Sequence, residues 1–104
     1  MATVLYHATT REVRFEETPE GEQAPFSAFT PVACVLSDSP EEVYRLSQHA
    51  CNSWLTGEQV MPIALDKMDR TRSTSVGDIL HMADGRFLQV ARFGFKPVEF
   101  DYNA

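Results

Sequence analysis

Three runs of apolar residues in the first two thirds of the chain predict β-strands. Residues 4–9 are rich in β-branched and aromatic side chains, which favour a strand. A second apolar stretch begins at Phe26, and the uninterrupted run over 32–36 is typical of a strand buried on both faces. The run over 61–65 predicts a short strand at a sheet edge, because Pro62 has no N–H to donate to a central ladder.

Residues 39–56 are predicted to form a helix. Ser39 is a suitable N-cap, Pro40 suits the first helical position, and Glu42 completes a capping box with Ser39. Gly57 is a natural helix end. The apolar side chains between these signals recur at helical spacing and form one stripe, which consists of Val43, Leu46, Ala50 and Trp54.

Residues 76–100 predict a β-meander. The dipeptide Asp84-Gly85 lies between two apolar segments and is a strong signal for a β-hairpin. Alternation along the returning strand places Phe87 and Gln89 on the same face of the sheet. A third strand follows after a kink.

This order of elements predicts an α+β domain in which one amphipathic helix packs on a small, curved, mostly antiparallel β-sheet. The 104 residues suit a single domain that spans 1–104. Residues 12–25 have little to bury apart from Val13 and Phe15, so we expect a long acidic loop there.

The charge is distributed unevenly along the chain, which has a formal charge of −6. Residues 12–42 hold eight acidic side chains and one basic one, whereas residues 67–96 hold six basic and three acidic ones. Either the fold presents two surfaces of opposite charge, or the two segments neutralise each other. The acidic balance disfavours nucleic acid and anionic lipid as partners over most of the surface. No apolar run approaches the ~20 residues of a membrane span, and no signal peptide is evident. We therefore expect a cytoplasmic protein that does not associate with a membrane.

The sequence contains no recognisable catalytic or metal-binding pattern. Cys34 and Cys51 lack C-x-x-C spacing and are interpreted as small buried residues. The three histidines have none of the spacings of a zinc site, and no G-x-S-x-G element marks a nucleophile. We therefore expect no enzymatic activity, no metal and no cofactor.

Two short segments carry a local likeness to an enzyme superfamily. The sequence L-Y-H-A-T at 5–9 resembles the opening strand of some ADP-ribosyltransferases, and S-T-S at 73–75 resembles the serine-threonine-serine strand of the same superfamily. The resemblance implies a downstream glutamate that stabilises the oxocarbenium charge. After Ser75 the only glutamate is Glu99, which has no E-x-E partner, and the chain is short for that fold. We therefore interpret both segments as strand-forming sequence.

A longer motif combines R-S-T-S-V-G-D over 72–78, the turn at 84–85 and F-G-F over 93–95. The combination resembles small domains encoded by bacteriophages, plasmids and integrative elements, and the likeness extends over about residues 40–100. It implies a protein of a mobile element and assigns no catalytic residue. The motif also has a structural interpretation, since Gly77 adopts conformations closed to other residues and Asp78 can accept backbone N–H bonds.

Small size, acidic character and this resemblance favour a non-enzymatic binding protein. We expect a counter-defence inhibitor, such as an anti-CRISPR protein, that occludes a protein or ribonucleoprotein immune effector in the host bacterial cytoplasm. Its acidic loop would imitate phosphate in a basic channel. The candidate partner-binding residues are Glu16, Glu17, Glu20, Glu22, Arg72, Arg92, Phe93, Phe95 and Lys96.

An alternative hypothesis is an accessory protein for plasmid or phage maintenance or transfer. It would use a basic face against nucleic acid or an acidic partner, formed by Arg72, Arg86, Arg92 and Lys96. Under the favoured hypothesis no nucleic acid is bound directly. An exposed strand edge in the meander would suit a homodimer, but the sequence does not specify the oligomeric state.

Overall fold

The computed structural model describes residues 2–9, 15–48, 58–63 and 72–103. In these residues the elements follow the order β1 (Thr3–Ala8), β2 (Ala24–Pro25), a 3₁₀ turn (Phe26–Ala28), β3 (Phe29–Val35), α1 (Pro40–Leu46), β4 (Val60–Pro62), β5 (Ile79–His81), β6 (Phe87–Val90), β7 (Phe95–Pro97) and β8 (Phe100–Asp101). The predicted α+β class is confirmed, because a helix accompanies a mostly antiparallel sheet.

The two central strands of the main sheet, β1 and β5, come from the N-terminal and C-terminal parts of the sequence. Its order is β4-β3-β1-β5-β6-β7, and every neighbouring pair is antiparallel. The strands β5, β6 and β7 form a meander, with the turn at Asp84-Gly85 between the first two. The short strands β2 and β8 pair in parallel as a second, two-stranded sheet.

Strand β3 begins earlier than the pattern over 32–36 predicts and includes Pro31. Leu5 pairs with Ala33, whereas the next residue of β1, Tyr6, pairs with Pro31, so the register shifts by one residue at Val32. This irregularity has the form of a β-bulge. Pro31 lies beyond the residues of β3 that pair with β4, where its missing N–H interrupts no second ladder.

Apolar side chains cover both faces of the sheet, because alternate residues of β1, β5 and β6 point to opposite sides. The helix face carries a core of Leu5, Val32, Ala33, Val35, Val43, Val60, Leu80, Met82, Leu88 and Val90. The opposite face carries a second core of Ala8, Ala24, Ala28, Phe29, Ile79 and Phe100. The rings of Tyr6, Phe26 and Phe87 pack against the second core.

Helix α1 starts as predicted, since Ser39 is the N-cap and its hydroxyl accepts the N–H of Glu42 over 3.3 Å. The helix ends at Leu46, and the prediction that it continues from 39 to 56 without a break is wrong. At this end the Ser47 hydroxyl donates to the carbonyls of Val43 and Tyr44, and the Ser47 carbonyl accepts the N–H of Thr74 over 3.0 Å. Residues 49–56, with the predicted stripe positions Ala50 and Trp54, lie outside the described residues.

Candidate protein-binding surface

The described part of the acidic loop, residues 15–23, is held against the meander. The N–H of Thr18 donates to Oε1 of Gln89 over 2.7 Å, and the ammonium of Lys96 donates to the Thr18 carbonyl. Gln89 is only 1% exposed, and its Nε2 donates to the Gly77 carbonyl over 3.0 Å. Side chains of the sheet therefore order a loop that has few apolar groups to bury. Residues 12–14 of the predicted loop lie outside the described ranges.

The four glutamates predicted to bind a partner occupy different environments. Glu17 is half-buried, and its carboxylate lies 3.7 Å from the ammonium of Lys96. Glu16, Glu20 and Glu22 are exposed and have no ion-pair partner within the described residues. The acidic and basic segments thus neutralise each other in part, and three carboxylates of the loop remain uncompensated among these residues.

Arg72 is engaged inside the fold. Its guanidinium binds the Asp78 carboxylate through both terminal nitrogens, with N–O distances of 2.6 and 2.8 Å. Asp78 is fully buried, and its oxygens also accept the N–H groups of Ala8 and Ser75 over 2.9 Å each. The pair fastens the segment 72–78 to β1. Arg72, one of the predicted partner-binding residues, thus has its charge compensated within the fold and only 21% of its side chain exposed, and its contact with a partner stays a prediction.

The two segments that resemble ADP-ribosyltransferases meet beside this pair. The Nε2 atom of His7 lies 3.0 Å from Oγ1 of Thr74 and 3.8 Å from Oδ2 of Asp78, and all three residues are buried. In a catalytic relay the nucleophile and the carboxylate contact opposite nitrogens of the histidine ring. Here both groups face the same nitrogen, so the arrangement suits a buried structural cluster better than a relay that reaches substrate.

The other basic residues of the meander carry little uncompensated charge. The guanidinium of Arg86 binds the Asp84 carboxylate at 2.8 Å, and the backbone N–H and side chain of Arg86 lower the pKa of Asp84. Lys96 is occupied by the acidic loop. Among residues 72–103, Arg92 is exposed and has no carboxylate partner within the described part of the chain. The broad basic face of the alternative hypothesis is thus reduced to Arg92 in this region.

The two phenylalanines next to Gly94 differ sharply in exposure. Phe93 is 97% exposed in the turn between β6 and β7, which is closed by a 2.9 Å bond from the Ala91 N–H to the Gly94 carbonyl. Phe95 is half-buried against the helix-face core, and its ring centroid lies 6.4 Å from that of Tyr44. Phe93 is therefore free to contact a partner, whereas most of Phe95 belongs to the core.

Two acidic residues that the sequence pattern did not indicate share the surface with the loop. Glu99 precedes β8 and Asp101 ends it, and both line a groove together with Glu22. The backbone brings them there, because the carbonyl of Glu99 accepts the N–H of Ala24 at the end of the acidic loop over 2.8 Å. The available signal was weak: two acidic residues on either side of Phe100, far from the acidic segment in sequence.

Comparison with protein-family models gives no match, and comparisons with curated proteins and with solved structures give none either. No helix in residues 2–9, 15–48, 58–63 and 72–103 has the length and apolar character needed to cross a bilayer.

Proposed function

We propose that this chain is a non-enzymatic binding protein of a mobile element that uses its acidic loop to occupy a basic surface on a protein or ribonucleoprotein. The observation that carries the proposal is the loop itself: Glu16, Glu20 and Glu22 are exposed, while Thr18 between them is bonded to Gln89 and Lys96. A loop that is already ordered loses little conformational entropy on binding.

Carboxylates on such a loop compete with phosphate for the same lysine and arginine side chains. A basic nucleic-acid channel is therefore the partner surface that best fits this charge pattern. Counter-defence is the biological role that we propose, with a CRISPR–Cas complex or another immune effector in the host cytoplasm as the target. The resemblance of 72–95 to domains of phages and plasmids supports this setting.

The test is capture of host proteins by the tagged full chain, followed by affinity measurements against salt. Binding of the captured effector is expected to weaken as ionic strength rises, because charged contacts are screened. The variant Glu16→Gln/Glu20→Gln/Glu22→Gln is expected to lose binding and to keep its fold, since all three side chains are exposed. Affinity that does not depend on salt would refute the phosphate-mimicry mechanism.

A matched control removes the same number of negative charges elsewhere on the surface. Asp38, Glu41 and Glu58 are exposed and lie outside the acidic loop. The variant Asp38→Asn/Glu41→Gln/Glu58→Gln is expected to bind the effector like the wild type. An equal loss of affinity in both triple variants would mean that binding depends only on net charge, which would contradict a role for the loop.

Direct binding of a DNA duplex at low salt would favour the accessory-protein hypothesis instead. The pairing of Arg72, Arg86 and Lys96 with carboxylates argues against it. We therefore expect no retardation of the duplex.

A further inference from the structure

An open groove of about 910 Å³ lies between the acidic loop and the end of the meander. A smaller cavity of about 420 Å³ adjoins it and shares Glu22, Pro97 and Val98 with it. The loop therefore stands above the sheet with concave surface beneath it. Apolar and acidic side chains both line the larger space, among them Glu22, Phe87, Pro97, Val98, Glu99 and Asp101.

Negative charge dominates the groove. Glu20, Glu22, Glu99 and Asp101 line the two cavities, and none of them has an ion-pair partner within the described residues. These carboxylates come from the loop on one side and from the segment around β8 on the other. The 2.8 Å bond from the Ala24 N–H to the Glu99 carbonyl holds the two segments side by side.

The two cations that line these cavities are already occupied. Arg86 is bound to Asp84 at 2.8 Å, and Lys96 lies 3.7 Å from Glu17. These two cations offset part of the negative charge, and four carboxylates against two cations leave the lining net negative. The charge thus calls for a positively charged group from outside the described residues.

The apolar wall of the groove includes an aromatic ring that packs against two others. The ring of Phe87 stacks on His81 at a centroid distance of 4.0 Å and meets Phe100 edge-on at 5.2 Å. Pro97 adds a second fixed surface and also removes one N–H from edge strand β7, which disfavours the addition of a strand from a partner. A partner is therefore expected to be recognised in this groove through side-chain contacts.

We propose that the groove accepts an arginine side chain, presented by an extended segment of the protein partner. The inference rests on the proposed function and names the group that the acidic surface recognises. The methylene stem of arginine would cover the apolar wall, and its planar guanidinium would bind carboxylates through two N–H donors. Lysine offers a point charge without that planar geometry.

The test is a titration of the isotope-labelled full chain, followed by amide NMR, with the capped peptide Ala-Arg-Ala-Arg-Ala. Shifts are expected at the amides of Gly85, Val98 and Glu99, which border the groove. A peptide with citrulline in place of arginine keeps the shape and removes the charge, so it is expected to leave these amides unshifted. Absence of shifts with the arginine peptide, or equal shifts with citrulline or spermine, would overturn the proposal.

Variants locate the site independently. Glu22→Gln/Glu99→Gln is expected to weaken peptide binding about two- to thirtyfold, since it removes two partly exposed charge pairs. Asp38→Asn/Glu41→Gln makes the same change in charge outside the groove and is expected to leave the affinity unchanged. Equal affinity in both variants would contradict the assignment.

The two proposals fail in different ways. If the effector binds in a salt-dependent manner but the arginine peptide does not bind, the groove assignment is wrong and the binding function stands. If the peptide binds but no effector depends on the acidic loop, the proposed function is wrong and the groove remains an arginine site.

Discussion

Arg72 and Asp78 form a two-point ion pair in which both terminal nitrogens of the guanidinium lie within 2.8 Å of the carboxylate oxygens. The same guanidinium donates to the Ala8 carbonyl over 3.1 Å, and the same carboxylate accepts the Ala8 N–H over 2.9 Å. Both backbone polar groups of one β1 residue are thus satisfied by one salt bridge. This contact joins the N-terminal strand to the motif that precedes β5.

Replacement of Asp78 by alanine is expected to destabilise the domain severely. The substitution removes the buried carboxylate that binds Arg72 and that accepts two backbone N–H groups. Loss of one partner of a buried pair costs about 3–5 kcal/mol, and the partial exposure of Arg72 favours the lower end of that range. Urea unfolding, followed by circular dichroism, measures the change. Arg86→Ala, which breaks an exposed pair, is the control and is expected to stay within about 1 kcal/mol of wild type.

The hairpin between β5 and β6 depends on the backbone conformation of Gly85. Its φ is +97°, a region that residues with a Cβ rarely adopt, although nothing lies within 4 Å of the place a Cβ would take. Gly85→Ala is therefore expected to cost about 1–2 kcal/mol through backbone strain alone. Thermal unfolding tests this, and an unchanged midpoint would contradict the assigned conformation.

Truncation of Phe93 and truncation of Phe100 are expected to change the free energy of unfolding by very different amounts. Phe93 is 97% exposed, so Phe93→Ser is expected to change the free energy of unfolding by no more than about 0.5 kcal/mol. Phe100 is buried among the rings of Tyr6, Phe26 and Phe87, so Phe100→Ala is expected to cost about 3–5 kcal/mol. Denaturant unfolding of both variants checks the contrast. Similar losses in both would show that Phe93 is packed in solution.

Tyr6 is expected to make the stability of the domain depend on pH in the alkaline range. Burial raises the pKa of the Tyr6 phenol above its ordinary value of 10.0, and the neighbouring Tyr102 and Cys34 raise this pKa further. The folded state holds this proton more tightly than the unfolded state. The contribution to stability is therefore complete below about pH 10 and is lost as the pH rises through the folded pKa.

Unfolding free energies measured between neutral and strongly alkaline pH test this prediction. Wild type is expected to lose stability above about pH 10 more steeply than Tyr6→Phe, which lacks the titrating group. Ultraviolet absorbance of tyrosinate follows the ionisation directly. Parallel stability curves for the two proteins would contradict the raised pKa.

Local signals in the sequence predicted the local features well. The N-cap at Ser39 and the turn at Asp84-Gly85 each depend on hydrogen bonds between near neighbours, and both lie where the pattern placed them. The helix end was not predictable in this way. A contact that is distant in sequence lies at this end, where the Ser47 carbonyl accepts the N–H of Thr74.

The same distinction between local signals and contacts made by the fold applies to the candidate surface. Residue types alone marked the acidic loop, and the structure leaves Glu16, Glu20 and Glu22 exposed there. The contacts of Arg72 with Asp78 and Ala8 were not predicted from residue types, because they depend on the fold. The sequence alone does not distinguish an arginine that is unpaired on the surface from one that is paired within the fold.

By itself, the sequence determined the fold class, the helix start, the hairpin and the acidic character of one loop, because each follows from side-chain chemistry over a few consecutive residues. Only the tertiary structure decided which charges are paired and which have no ion-pair partner among the described residues. The N–H of Thr18 meets Gln89 across 71 positions, and Lys96 reaches the Thr18 carbonyl across 78. Electrostatic and hydrogen-bond partners are selected by distance in space, and chain folding alone brings such distant residues within bonding range.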